Sequence, residues 1–256
     1  RKLQLRVMTQ ANNLSSKPSY APTMTLSMAQ KRAQFINAIR QFFASRHVLE
    51  VQTPLLSQAG NTDTFLQSVA AQVTYQDKPC TYYLHTSPEF AMKRLLASWQ
   101  MPIYQICPVF RDNEIGVRQS WLDLLFSHAV EPNLGHDLPT LIIEYPPATA
   151  ALAKTAIDKD GNTVAKRFEL YINGIEIANA YDELADGQAL RARFERDNQL
   201  RKQHNLPQMP IDEHLLAASD DLIPCSGIAV GIDRLLMVIT GASSLEDVIP
   251  FPSGLA

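Results

Sequence analysis

The chain has 256 residues, of which 46% are hydrophobic and 19% charged, with 16 Pro, 10 Gly and 3 Cys. That length and balance suit one large α/β domain, or a large domain with a small appendage, and exclude global disorder. The 23 basic and 26 acidic side chains leave a net charge of −3, which speaks against a domain that holds nucleic acid mainly by electrostatics. No apolar run approaches the roughly 18 residues that span a bilayer, and the polar N-terminus has no signal-peptide core. Cys80, Cys107 and Cys225 are scattered. They read as reduced thiols of a cytoplasmic protein rather than as a disulfide framework or zinc site.

Residues 1–26 are expected to form a tail or arm, rich in Asn, Ser and Pro from residue 11. From Ser27 the residues Met28, Phe35, Ile36, Ile39, Phe42 and Phe43 recur at helical spacing, predicting an amphipathic helix to about Arg46. Val48 to Pro54 reads as a short strand ended by proline. Thr81 to Leu84 reads as another strand. Thr86-Ser87-Pro88-Glu89 then has the form of a helix start, with Ser or Thr as cap and Pro in the first turn. Ile103 to Phe110 looks like a buried strand running into Arg111, and a helix is expected near Trp121–Ser127. Two strands flanking Asn173-Gly174 predict a type I′ hairpin. Residues 188–204 form a charged helix, and Gly227–Arg234 opens an apolar one that runs to about Ile239. Hairpins among helices, with few βαβ repeats, favour an α+β fold: an antiparallel sheet flanked by helices.

Several motifs admit both a structural and a chemical reading. Ser87-Pro88-Glu89 is an ordinary helix start, or it places a carboxylate where a substrate ammonium binds. Arg111 is either a rim arginine paired with Asp112 or Glu114, or a guanidinium that grips phosphate oxygens in fork geometry. Strict strand alternation puts Ile175, Ile177 and Asn179 on one face of the hairpin and Glu176, Ala178 and Ala180 on the other. Glu176 and Glu183, bracketing Asn179, supply either hard oxygen ligands for Mg²⁺, an amine site, or mere solubility. Gly227 to Arg234 lacks the features of a P-loop and of a dinucleotide fingerprint, yet its glycines allow close approach of a ligand that Arg234 would face. The six histidines lack metal-ligand spacing and no G-x-S-x-G is present. The arginines and lysine at 191, 193, 196, 201 and 202 are expected on a solvated helix face.

Taken in order, these pieces resemble the catalytic core of a class II aminoacyl-tRNA synthetase of the lysine type. The helix from Ser27 with the strand to Pro54 resembles the dimer-forming motif 1. Val109-Phe110-Arg111 resembles the start of motif 2, and Gly231-Ile232-Asp233-Arg234 matches the Gly-x-Asp-Arg of motif 3. Arg167-Phe168-Glu169-Leu170, Glu176-Ile177-Ala178-Asn179 and Glu183-Leu184 match the lysine-specific strand pair. The resemblance covers residues 27–256, the expected catalytic domain. With only residues 1–26 before it, no anticodon-binding barrel is expected ahead of it, and Ala229 stands where lysyl-tRNA synthetases usually have glycine. Both traits are similar to the elongation factor P β-lysyltransferases, a paralogous family.

The resemblance implies ATP-dependent activation of (R)-β-lysine as an adenylate and its transfer to a lysine of elongation factor P, by a homodimer that does not use tRNA. It implies ATP contacts from Arg111, Asp112, Asn113, Glu176, Ile177, Gly231 and Arg234, with Arg111 and Arg234 as the catalytic pair. Substrate contacts would come from Ser87, Pro88, Glu89, Asn179, Glu183 and Ala229, and Mg²⁺ would be held by Glu176 and Glu183. The alternatives are a lysyl-tRNA synthetase core and a catalytically inactive binding module. The sequence departs from the family at Asn113, where glutamate is usual. It departs again at Gly116-Val117, where several tens of residues are absent, including the phenylalanine that stacks on adenine. A deletion through a central strand pair would leave backbone groups unpaired, so we expect a missing segment between residues 116 and 117.

Overall fold

The computed structural model describes residues 20–112 and 124–252. The expectations for residues 1–19, Asn113, Glu114, the Gly116-Val117 junction and Trp121 lie outside the described residues. The first helix, α1 (Leu26–Ala44), is capped by Thr25, whose Oγ1 accepts from the Met28 N–H at 3.2 Å. Its apolar row does not enter a core: none of its 19 residues is buried. It is held instead by Phe43 stacked on Tyr104 at 4.1 Å and by Arg40, which chelates Glu50.

Glu50 and Tyr104 belong to two short strands, β1 (Leu49–Glu50) and β5 (Ile103–Tyr104), which pair in parallel. Both were expected to be longer. Residues beyond Tyr104 run on without a ladder among the described residues; Phe110 N–H bonds the His85 carbonyl and Asp112 N–H the Gln67 carbonyl. A second sheet has the order β2-β4-β3, from β2 (Leu56–Ser57), β3 (Ala70–Tyr75) and β4 (Lys78–Leu84). Next comes α2 (Glu89–Trp99). Its cap is Pro88 rather than Ser or Thr, and the Ser87 hydroxyl instead accepts from the Glu89 N–H at 3.3 Å.

Of the helix expected near Trp121–Ser127, Leu124 and Leu125 are α-helical and run into a π-helical turn over Phe126–Val130, followed by a 3₁₀ turn over Glu131–Asn133. The main sheet is antiparallel as predicted: β10 (Ser226–Val230), β9 (Ile175–Asp182), β8 (Thr163–Ile172) and β6 (Thr140–Tyr145), in that order. A further strand, β7 (Thr155–Ile157), pairs with the start of β8. The β8–β9 turn has Asn173 at φ 51° and Gly174 at φ 73°, the left-handed pair that a type I′ turn requires.

Three helices close the fold. They are α3 (Gly187–Gln203), α4 (Glu213–Ser219) and α5 (Ile232–Thr240). Leu190 and Phe194 of α3 pack with Leu152, Leu215 and Leu216, and Phe90 and Tyr181 press on this cluster from the site side. The basic residues of α3 are not all solvated. Arg201 is fully buried because three acceptors meet it: the carbonyls of Pro207 and Asp63 and the Gln67 side chain, at 2.7, 2.8 and 2.9 Å.

Candidate active site

The main sheet gathers the predicted residues by an irregularity that alternation does not anticipate. On β8 and β9 the pairs Arg167–Tyr181 and Glu169–Asn179 are in register, but Leu170 faces Ala178 while Tyr171 faces Glu176. One extra residue, Ile177, is therefore bulged on β9. Since each register step changes face, the bulge inverts the parity of Glu176. Glu176 thus shares a face with Asn179 and Tyr181, not with Ala178 and Ala180 as strict alternation predicts. Ile177 itself is buried, and its carbonyl accepts from the Gly231 N–H at 2.8 Å.

On that face β10 contributes Gly227 opposite Tyr181 and Ala229 opposite Asn179. Arg167 Nε donates to Asn179 Oδ1 at 3.2 Å, and its guanidinium also pairs with Glu169 and lies over the Tyr145 ring. Glu169 accepts from the Tyr145 and Tyr171 hydroxyls, both at 2.6 Å, so its carboxylate is buried but satisfied. Tyr171 reaches Glu131 as well, at 3.2 Å. Burial pushes the Glu176 carboxyl up, and the nearby Glu169 and Glu131 charges add to it against the pull of Arg234.

Arg234 sits in the first turn of α5, whose cap, Gly231, offers no side-chain bond. Its Nη1 donates to the Glu176 carbonyl at 3.1 Å and lies 3.3 Å from the Glu176 carboxylate. A Cβ on Gly231 would make only ordinary contact with the Arg234 stem, so glycine is not sterically demanded there. Asp233 points the other way, pairing with Arg32 of α1 and so tying the first helix to the last.

Glu183 continues this face just past β9, and Glu89 meets it from α2 through an unpredicted residue. The ammonium of buried Lys93 lies 2.7 Å from Glu89 Oε1 and 2.7 Å from Glu183 Oε2. The Glu89 contact is a hydrogen bond, and Glu183 Oε2, itself shut off from solvent, has the Lys93 ammonium as its close partner. Glu183 Oε1 occupies the space above Gly227 that a side chain would need. Beside Glu89 opens a cleft of about 110 Å³ whose lining includes Ser57, Gly60, Asn61, Ser87 and Pro88.

The expected residues are therefore joined in part. Glu176, Asn179, Glu183, Ala229 and Arg234 converge on one side of the sheet, and Glu89, with Ser87 and Pro88 beside it, reaches them through Lys93. Glu176 and Glu183 do not act as a pair: each is engaged by a different cation. Among the described residues no set of three His, Cys, Asp or Glu side chains is arranged as metal ligands. A single carboxylate still suits Mg²⁺, which commonly takes one or two protein ligands with substrate phosphates, and Glu176 between Glu169 and Glu131 is such a donor. Arg111 and Asp112 lie beside the β2-β4-β3 sheet, where Gln67 bridges to Asp112. Sequence reasoning missed Lys93, although its spacing of four from Glu89 on a helix is a legible pairing signal. It also missed the Tyr145–Glu169–Tyr171 network.

Comparison with known proteins decides the family. The family described as tRNA synthetases class II (D, K and N) matches residues 20–121 and 123–254. The chain belongs to that class II synthetase family. The synthetase-like chain is also similar to proteins named elongation factor P–(R)-β-lysine ligase. That of Pectobacterium carotovorum is 34% identical over 322 positions covering 93% of this chain and 98% of the relative. That of Haemophilus ducreyi is 33% identical over 318 positions, 92% and 97% of the two chains. Since 93% of 256 residues is about 238, some 80 of the 322 aligned positions have no counterpart here. No helix among the described residues is long and apolar enough to cross a membrane.

Proposed function

We propose that this class II synthetase-like chain is an amino acid–protein ligase that activates (R)-β-lysine with ATP and transfers it to a lysine of elongation factor P. The observation that carries the reading is the meeting, on one sheet face, of an arginine–glutamate phosphate half, Arg234 and Glu176, with an acidic half made of buried Glu183 and, through Lys93, Glu89 of α2. The names and coverage of its relatives support the same reaction. In the first step the substrate carboxylate attacks the α-phosphorus of ATP, and the bond to pyrophosphate breaks. The carboxylate is already ionised at neutral pH, so the protein's task is positioning and charge neutralisation. In the second step the neutral amine of the acceptor lysine attacks the acyl carbonyl, and AMP leaves.

In this reading Arg234 and Arg111 hold phosphate, with Asp112, Asn113, Ile177 and Gly231 around the nucleotide. Glu176 would hold Mg²⁺, which supplies charge neutralisation on the phosphates. Ser87, Pro88, Glu89, Asn179, Glu183 and Ala229 line the amino acid. The homodimer belongs to the proposal too: α1 buries none of its residues here, and Phe42 and Leu49 stay 50% and 43% exposed, an apolar face suited to a second copy. The site of action is the cytoplasm, with free cysteines at 80, 107 and 225.

The sequence in hand is proposed to lack several tens of residues between Gly116 and Val117. The roughly 80 unmatched positions support this, as do the residues after Tyr104 without a ladder and β10 with β9 as its one partner among the described residues. The test is (R)-β-lysine-dependent pyrophosphate exchange by the full-length protein, followed by mass analysis of elongation factor P. Exchange and a mass gain of one β-lysyl group are expected. Charging of tRNA in place of the protein would overturn the reading.

A further inference from the structure

Lys93 is a buried cation set between two carboxylates that the proposed reaction assigns to the substrate amine. Its ammonium makes one aligned bond, to Glu89, and one charge contact, to Glu183, both at 2.7 Å. Two acids and one base leave the triad with one uncompensated negative charge in a site of low polarity. Of the other charged groups nearby, Arg94 and Asp212 line the cleft beside Glu89 and carry opposite charges. Asp182 is neutralised by Lys154 at 2.9 Å, and the Cys225 thiol beside them is pushed up by burial and so stays neutral.

We propose that Lys93 is a positioning residue that bridges Glu89 and Glu183 and sets the pocket to take one substrate ammonium rather than two. The incoming ammonium completes a two-acid, two-cation cluster. It finds its acceptor in the oxygen of Glu89 that Lys93 leaves free, beside the Glu183 carboxylate that Lys93 holds in place. The second ammonium of a diamine must then be held away from this pair. Burial opposes the Lys93 charge, but the two carboxylates outweigh it and hold the ammonium above its usual range. Burial lifts the Glu183 carboxyl in spite of Lys93, so that removing this cation would make the pair bind a proton.

The proposal rests on the functional reading above, and two measurements separate their fates. Full-length wild type, Lys93→Arg and Lys93→Met are compared by pyrophosphate exchange between pH 6 and 8. In Lys93→Met a proton competes with the amine, so KM for (R)-β-lysine should rise by about tenfold per pH unit on acidification, more steeply than in wild type. KM for ATP should not follow, and Lys93→Arg should keep the wild-type profile. An unchanged pH profile in Lys93→Met, or an equal rise in both KM values, would overturn the proposal. Thermal melts test the charge balance without activity. At the alkaline end of the range, where Lys93→Met keeps both acids ionised, the double variant Lys93→Met with Glu89→Gln restores one net negative charge and should melt above Lys93→Met alone. If it melts no higher, the balancing role is wrong. Absence of any exchange in wild type would count against the functional reading alone, because the melts would still judge Lys93.

Discussion

Glu183 and Gly227 share one volume: the Glu183 Oε1 atom lies where a Cβ on Gly227 would be. The two residues are on neighbouring segments, with Gly227 opposite Tyr181 on β9 and Glu183 two residues further on. A carboxylate is usually free to swing aside, but this one is buried and tied to Lys93. Gly227→Ala should therefore push Glu183 off its partner, at a cost of about 1–3 kcal/mol. The expected result is a KM for the amine raised about tenfold or more, with KM for ATP little changed, read by pyrophosphate exchange. A variant with wild-type KM would show that the carboxylate is not confined.

Arg234 is only partly covered, its side chain 41% accessible beside Glu176 at 35%. Little of the fold rests on such a pair. Arg234→Ala should lower pyrophosphate exchange by at least about 100-fold while leaving the thermal midpoint within a few degrees of wild type. Exchange above one tenth of wild type would contradict its place on the phosphates.

Glu169 contrasts with it. Two tyrosine hydroxyls and Arg167 converge on a carboxylate that is 8% exposed. Glu169→Gln would leave a buried guanidinium without its counter-charge, a loss of about 3 kcal/mol or more. The melting temperature should fall by roughly 6–12 °C, measured by calorimetry. A change under about 2 °C would mean that the network is not structural.

Asp197 gives a pH dependence of stability. Burial, with help from the Asp63 charge, pushes its carboxyl up to about 6, although Thr62 donates to it at 3.2 Å. The folded state then holds the proton more tightly than the unfolded chain, so stability falls as pH rises from about 4 to about 6 and levels off above. Asp197→Asn keeps an acceptor for Thr62 and removes the charge. It should remove that slope and stabilise the protein at pH 7 by about 1–2 kcal/mol, allowing for the partial solvent access of the side chain. Urea melts at pH 4.5 and 7 check this, and a slope that survives in the variant would assign it elsewhere.

What the sequence disclosed about this fold depends on how local the cause was. The Asn173-Gly174 turn was readable because its left-handed backbone is a property of two residues. The Asp-Arg of motif 3 was readable because a helix start is equally local. The face of Glu176 was not, because a bulge arises from how β8 and β9 meet rather than from either strand alone. The strand from Ile103 to Phe110 had the right pattern, yet its ladder stops at Tyr104, since a strand needs a neighbour as much as a pattern. Arg201 looked like a surface charge on a helix of surface charges until acceptors from the loop that follows it and from the distant Asp63–Gln67 segment surrounded it. Lys93 was passed over for a similar reason: Glu183, the second acid that gives it meaning, lies 90 positions away in the chain.

The bulged Ile177 has a consequence for how this site can change over time. Straightening that bulge, with Ile177 taken into the regular ladder, would turn Glu176 toward the opposite surface and leave Asn179, Tyr181 and Glu183 where they are. The nucleotide half and the amine half would part company, although every side chain named for either would still be encoded. Substitutions can tune each half separately, provided the irregularity between them is kept.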